Sequence, residues 1–273
     1  MPRLIVNADD FGLSPAVSEG IMEAHAVGSV TSTSMMVRCP GWDDGVQHAR
    51  ATPSLGVGLH FNLLVGVPLS RSPTLTDSRT GYFQDFGALA ARVLRRSIDR
   101  DELAAECEAQ LAALAAAGIA ITHIDSHRHV HAMPVIRGVI ASIAAQRGLP
   151  LRRPVESARW FPRDGVSQLH RAILAWSWNL TTRAAPRTRA PDHFIGVSMQ
   201  GSARFAHRLD TILNALPTGS TELMVHPGHV DATLQSNDNY TWQRERELEA
   251  LLSKPARERL SRGDIELIGF GAL

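Results

Sequence analysis

The sequence predicts an α/β fold, a TIM-like (β/α) barrel of seven or eight strands, regular or irregular in outline. Three observations point there. Short apolar runs alternate along the chain with segments of helical periodicity, the pattern of parallel β-α units joined by right-handed crossovers. Seven or eight such units within 273 residues favour a barrel over an open doubly wound sheet. No Gly-x-Gly-x-x-Gly follows the first run and no Gly-rich Lys-Ser/Thr loop occurs, which weighs against a nucleotide-binding sheet.

The units follow in order. Leu4-Ile5-Val6 is a short strand ending in Asn7-Ala8-Asp9-Asp10-Phe11-Gly12. Ser14-Pro15 has the form of an N-cap followed by Pro at the first helical position, and the helix carrying Val17, Ile21, Met22, Ala24 and Val27 stops at Gly28. Thr31 to Val37 reads as a strand, Trp42 to Arg50 as a helix, and Leu55 to Leu59 as a strand delivering His60. Residues 66 to 87 lack periodicity and read as a long loop, functional or mobile. Asp101 to Ala117 is rich in strong helix formers and closed by Gly118. A strand around Ile119–Ile124, a helix from Pro134 to Arg147 and a short strand Leu149–Arg153 come next. Phe194–Ser198 and Glu222–Val225 read as strands, Ala203–Leu216 and Tyr240–Leu252 as helices, and Ile265–Phe270 as a last strand. Arg244, Glu245, Glu247 and Glu249 fall on the polar side of the 240–252 helix.

Residues 1–273 thus form a single catalytic (β/α)-barrel domain, interrupted by a helical or loop insertion around 154–191. From Arg152 to Arg189 there are eight arginines against Glu156 and Asp164, around an apolar helical segment with Leu169, Ile173, Leu174, Trp176, Trp178 and Leu180. The plain reading is a solvated face over a locally packed helix. The sharper one is a lid or subunit contact that meets an anionic or amphiphilic substrate.

Bulk composition narrows the function classes. At 44% hydrophobic and 20% charged the chain can build a sizeable core. Its net charge of +1 supplies no global field for nucleic acid or membrane. Cys39 and Cys107 show no Cys-x-x-Cys pattern, so neither a disulfide framework nor a cysteine zinc site is supported. No stretch approaches the ~18–20 apolar residues of a spanning helix, and the N-terminus has no signal-peptide core. A cytoplasmic protein is expected.

The chemistry concentrates first in Thr122–His131, T-H-I-D-S-H-R-H-V-H. In an extended chain alternate side chains share a face, which would align His123, Asp125, His127, His129 and His131. Imidazole is the commonest metal ligand, and carboxylates orient such histidines. Chemistry in β/α barrels sits at the C-terminal strand ends. There the predicted strands deliver Asp9 and Asp10, His60, Asp125 and His127, and His226. Singly each has a plain reading: acids at a helix start, a core histidine, an ordinary His-Pro-Gly turn. Jointly, four strand ends converging on one rim outline a metal-assisted hydrolysis of an amide or ester. A carboxylate and two histidines would hold the ion, the second carboxylate would act as base, and a histidine across the reacting carbon as acid.

Asn7–Gly12, Val57–His60, Thr122–His131 and Glu222–Gly228 together resemble the YdjC-like carbohydrate deacetylases, a family that includes chito-oligosaccharide and hopanoid-associated deacetylases. The resemblance runs in order to about Leu252, with Tyr240 and the Arg244-Glu245 helix, and leaves 154–191 unmatched. It implies divalent-metal removal of an N-acetyl group from an amino sugar, oligosaccharide or glycolipid. Carried over by position, Asp10, His60 and His127 would be the metal ligands, Asp9 the base and His226 the acid. Asp125, His129 and His131 would orient ligands or face substrate. The donor set suits Zn2+ or, with waters completing its shell, Mg2+. A homodimer is the implied assembly, with no nucleic-acid partner. Hydrolysis of another bond, such as a phosphodiester, and a non-catalytic sugar- or lipid-binding barrel are the alternatives.

Overall fold

The computed structural model describes residues 1–161, 165–181 and 185–273. Its spine is β1 (Arg3–Phe11), buried along nearly its whole length, as expected of a parallel strand covered on both faces. The parallel sheet runs β4-β3-β2-β1-β6-β5, built from β2 (Ser32–Met35), β3 (Gly56–Phe61), β4 (Ile121–Ser126), β5 (His193–Ile195) and β6 (Ser220–Val225). The expected strand 265–270 shrinks to β7 (Glu266–Leu267), which pairs with the start of β1 before a 3-10 turn at Phe270–Ala272.

The sheet curls as a half-barrel and does not close, which corrects the TIM-like expectation. Among the described residues only two single bridges span the gap between β4 and β5, Ile124–Leu151 and Glu156–Phe194. The stretch 149–153, expected as a strand, provides just one of them. Pro150 within it and Pro154 just after it lack the amides that a continuous ladder needs.

The helices α1 (Pro15–Ala26), α2 (Trp42–Ala51), α4 (Arg100–Ala116), α5 (Ile136–Gln146), α7 (Phe205–Leu213) and α9 (Trp242–Leu252) fall where periodicity placed them, within a few residues at their ends. Ser14 caps α1 by accepting from the Val17 amide. Three short helices were not anticipated: α3 (Phe86–Leu94), α8 (Ala232–Asn237) and α10 (Lys254–Leu260).

The loop after β3 is bolted down by one face of α4. Glu102 accepts from the Thr74 amide and hydroxyl, and the fully buried Glu106 accepts from the Leu69 and Ser70 amides. One turn on, Gln110 bonds both the amide and the carbonyl of Asn62. Buried carboxylates that accept several amides fix the chain leaving His60.

The insertion contributes α6 (Gly165–Thr181); Arg163, Asp164 and Arg183 of the basic stretch lie outside the described residues. Buried Glu156 fastens α6 to the rim, reaching Arg171 at 3.3 Å through one oxygen and accepting from the Gly196 and Ser198 amides through the other. No described helix is long and apolar enough to cross a membrane.

Candidate active site

The Asp9-Asp10 pair can serve one site because β1 breaks its own register there. Ala8 pairs with Thr33 and Phe11 with Met35, so two residues of β1 stand against Ser34 alone. This is a β-bulge, and Asp10 takes the positive φ of 70° that the extra residue requires. A regular strand would send neighbouring side chains to opposite faces; here both carboxylates reach the same cavity.

Asp10 is the hub. Its Oδ1 lies 2.9 Å from His127 Nδ1 and 3.2 Å from His60 Nε2, while Oδ2 accepts from Arg244 Nη2 at 2.7 Å. Burial disfavours its charge, but Arg244 and the two histidines overcome that and hold its carboxyl well below the usual range. His60 presents Nε2 to Asp10 because its Nδ1–H donates to Asp125 at 2.7 Å. Burial opposes charge on the His60 ring, yet Asp125 and Asp10 win and raise its pKa to about 10. Asp10, His60 and His127 each offer one donor atom, all mutually within 4.8 Å. A carboxylate and two histidines at this spacing fit a divalent cation, with Asp125 fixing the tautomer of one ligand. A second grouping, Asp9, His60 and Asp125, meets the same distance test, but His60 Nδ1 and both acids are already committed to one another and to Arg152.

Behind the cluster Arg152 serves three acids on three strands. Its guanidinium holds both oxygens of Asp9 at 2.6 Å, Asp125 at 2.8 Å and Glu222 at 2.7 Å. One cation cannot balance three buried carboxylates, and burial together with its two acidic neighbours raises Glu222 to about 8. Arg152 reads in the sequence only as part of the short strand Leu149–Arg153 and as the first arginine of the basic stretch; nothing local to it marks its three acidic partners.

The histidine run does not share one face. Strand β4 ends at Ser126, and the 3-10 turn His127–Ala132 follows, with Arg128 and His129 at φ 51° and 55°. Alternation therefore fails after Asp125. His127 and His129 line the cavity. His131 turns back, its Nδ1 2.5 Å from Ser126 Oγ and its Nε2 at the Arg152 carbonyl. His123 points away from the site, stacked on Phe270 with ring centroids 3.8 Å apart. Its ring fills the space beside Gly58, where a Cβ would come within 2.3 Å of it; that is the reason for glycine in Val57-Gly58-Leu59-His60.

His226 follows β6, with Nε2 4.0 Å from Asp9 Oδ2 and 3.4 Å from Gln200 Nε2. Burial lowers its pKa to about 4, which keeps the ring neutral. Its amide donates to Glu247, whose other oxygen accepts from Tyr240 Oη, and that hydroxyl accepts from the Gly201 amide. In the sequence Arg244 and Glu247 read simply as part of the polar side of their helix. Both are buried, because α9 turns these two toward Asp10 and His226, and periodicity does not distinguish a polar face in water from one facing a polar site.

These groups open into a cavity of about 920 Å³ whose walls include Phe86, Arg128, Ile173, Leu174 and Tyr240, large enough for a small oligosaccharide. The chain matches the YdjC-like protein family over residues 3–262. It is 34% identical to a carbohydrate deacetylase of Brevibacillus brevis, over 99% of each chain. It is 35% identical to a chitooligosaccharide deacetylase of Proteus mirabilis, covering 97% of this chain and 96% of the relative. Among solved structures, a protein of Enterococcus faecalis provisionally described as a cellobiose-phosphate cleavage protein superposes with a TM-score of 0.80 at 28% identity, over 99% of this chain and 98% of that one. In sequence and in fold, this chain belongs to the YdjC-like family.

Proposed function

We propose that this protein is a divalent-metal-dependent deacetylase that hydrolyses the N-acetyl group of an amino sugar to acetate and free amine. One observation carries the reading: Asp10, His60 and His127 converge to metal-binding distance beside an Asp9–His226 pair in one sugar-sized cavity. The relatives named as carbohydrate and chitooligosaccharide deacetylases support the acetylated sugar as substrate class. A divalent ion at Asp10, His60 and His127 would polarise the acetyl carbonyl and acidify the attacking water.

The chain's own residues handle the protons. Asp9, held by Arg152 with its Oδ2 toward His226, takes the proton of the attacking water. His226, neutral at rest, receives that proton and delivers it to the departing nitrogen as the C–N bond breaks. Water thus divides between acetate and amine with no net proton change on the protein. Phosphodiester cleavage is disfavoured, because Arg152 and Arg244 are both taken up by acids and leave Arg128 as the exposed arginine among the described residues of the cavity.

The test is acetate release from N,N′-diacetylchitobiose, with and without chelator, in the parent and in Asp9→Asn and His127→Ala. Loss of release on metal removal and in both variants is expected. Activity that survives complete metal removal, or is unchanged in both variants, overturns the proposal.

A further inference from the structure

The outer face of α6 carries an apolar stripe that no described residue covers. Leu169, Ile173, Trp176 and Leu180 are 61%, 52%, 62% and 59% exposed. Their spacing of four, three and four residues sets them along one side of the helix. Other sides of the helix hold it to the protein, with Arg171 on Glu156 and Ser177 on the Ala132 carbonyl. One buried face is enough to dock a helix. A second apolar face turned to water marks an interaction surface.

Charge identifies the occupant. Residues 165–181 contain no aspartate, glutamate or lysine. Around them Arg128, Arg153, Arg159 and Arg187 are exposed, and the hollow beside Trp178 is lined by Arg137, Arg153 and Arg187 with Asp192 as its acid. A second copy paired symmetrically on the stripe would set this basic surface against itself. It would also cover the active-site mouth, since Ile173 belongs to both the stripe and the cavity wall. An anionic bilayer meets neither objection: aliphatic side chains enter the acyl boundary, a tryptophan sits at headgroup depth, and arginines meet phosphates.

We propose that α6 seats this protein on anionic lipid bilayers, with Leu169, Ile173, Trp176 and Leu180 inserted and the cavity mouth at the lipid–water boundary. The attraction is local, since the whole chain carries a net charge of only +1. It does not depend on the chemistry at Asp10.

The experiment is co-sedimentation of the full chain with phosphatidylcholine vesicles and with phosphatidylcholine–phosphatidylglycerol vesicles. The expected result is partition onto the anionic vesicles, weakened by salt, and reduced roughly tenfold or more in Leu169→Ser/Trp176→Ser/Leu180→Ser. Release of acetate from diacetylchitobiose should be the same in the triple variant and the parent, so lipid docking and deacetylation are judged separately. If the triple variant loses its cooperative melt, Trp176→Ser alone carries the comparison, with Trp176→Phe retaining binding. Absence of binding to anionic vesicles, or binding that the substitutions leave intact, overturns the proposal. So does light scattering that shows a dimer dissolved by the triple variant, which would make the stripe a seam between copies.

Discussion

Arg152 grips both carboxylate oxygens of Asp9 at 2.6 Å, with both side chains nearly removed from solvent. The contact fixes where Asp9 can point. Removing the arginine would leave three carboxylates buried without their cation. Arg152→Met should lower unfolding stability by about 3–5 kcal/mol, read from chemical denaturation. Arg152→Lys keeps the charge but loses the bidentate grip; it should retain more stability than the methionine variant and still lose at least about tenfold in kcat.

Asp125 acts on the candidate metal site through His60. Its carboxylate accepts from His60 Nδ1 and so leaves Nε2 for the ion. Asp125→Asn should weaken divalent-metal affinity by about 10–100-fold, measured by calorimetric titration into metal-stripped protein. An unchanged affinity would show that the tautomer of His60 is set elsewhere.

Gly58 and His123 should behave as one unit. A methyl group at position 58 would meet the imidazole at 2.3–2.6 Å, so Gly58→Ala should destabilise by about 1–3 kcal/mol through overpacking. In Gly58→Ala/His123→Ala much of that clash is gone. A double-mutant cycle in urea should therefore return a coupling energy of about 0.5 kcal/mol or more, and additivity would refute the contact.

Glu222 makes stability depend on pH. Its folded pKa is raised to about 8, chiefly by burial, from an ordinary value of 4.5. Below pH 4.5 it is protonated folded and unfolded alike, and its contribution is fully present. Between 4.5 and 8 the unfolded chain ionises first, so this contribution falls as pH rises. Glu222→Gln removes the titration. The drop in denaturation midpoint from pH 5 to pH 8 should be smaller in the variant than in the parent.

Much of this protein is legible in its sequence, and the failures share a cause. Ser14-Pro15 announces α1, the alanine-rich run announces α4, and strand ends deliver Asp9, Asp10, His60 and His226 to one cavity. These signals are local. The left-handed residues Asp10, Arg128 and His129 are not, because nothing in their side chains demands a positive φ; the bulge and the turn that impose it are set by pairing with distant strands. Arg152, Arg244 and Glu247 were missed for a related reason. A charged residue buried against a site and one bathed in water look the same in a periodicity plot, and the difference lies in partners more than 20 positions away, such as Asp9 for Arg152 and Asp10 for Arg244.

The open seam of the half-barrel gives the arginine cluster a second consequence. Across that seam the backbone of the described residues supplies only two isolated bridges, so amides near Leu151 should rank among the faster of the sheet to exchange with solvent deuterium. Arg152 rides on that stretch and clasps β1, β4 and β6 at once through Asp9, Asp125 and Glu222. Charge here takes the place of the missing strand ladder and ties the 149–153 stretch to the sheet. Whatever loosens the seam also frees Asp9, so the rigidity of that carboxylate and the integrity of the half-barrel wall rise and fall together.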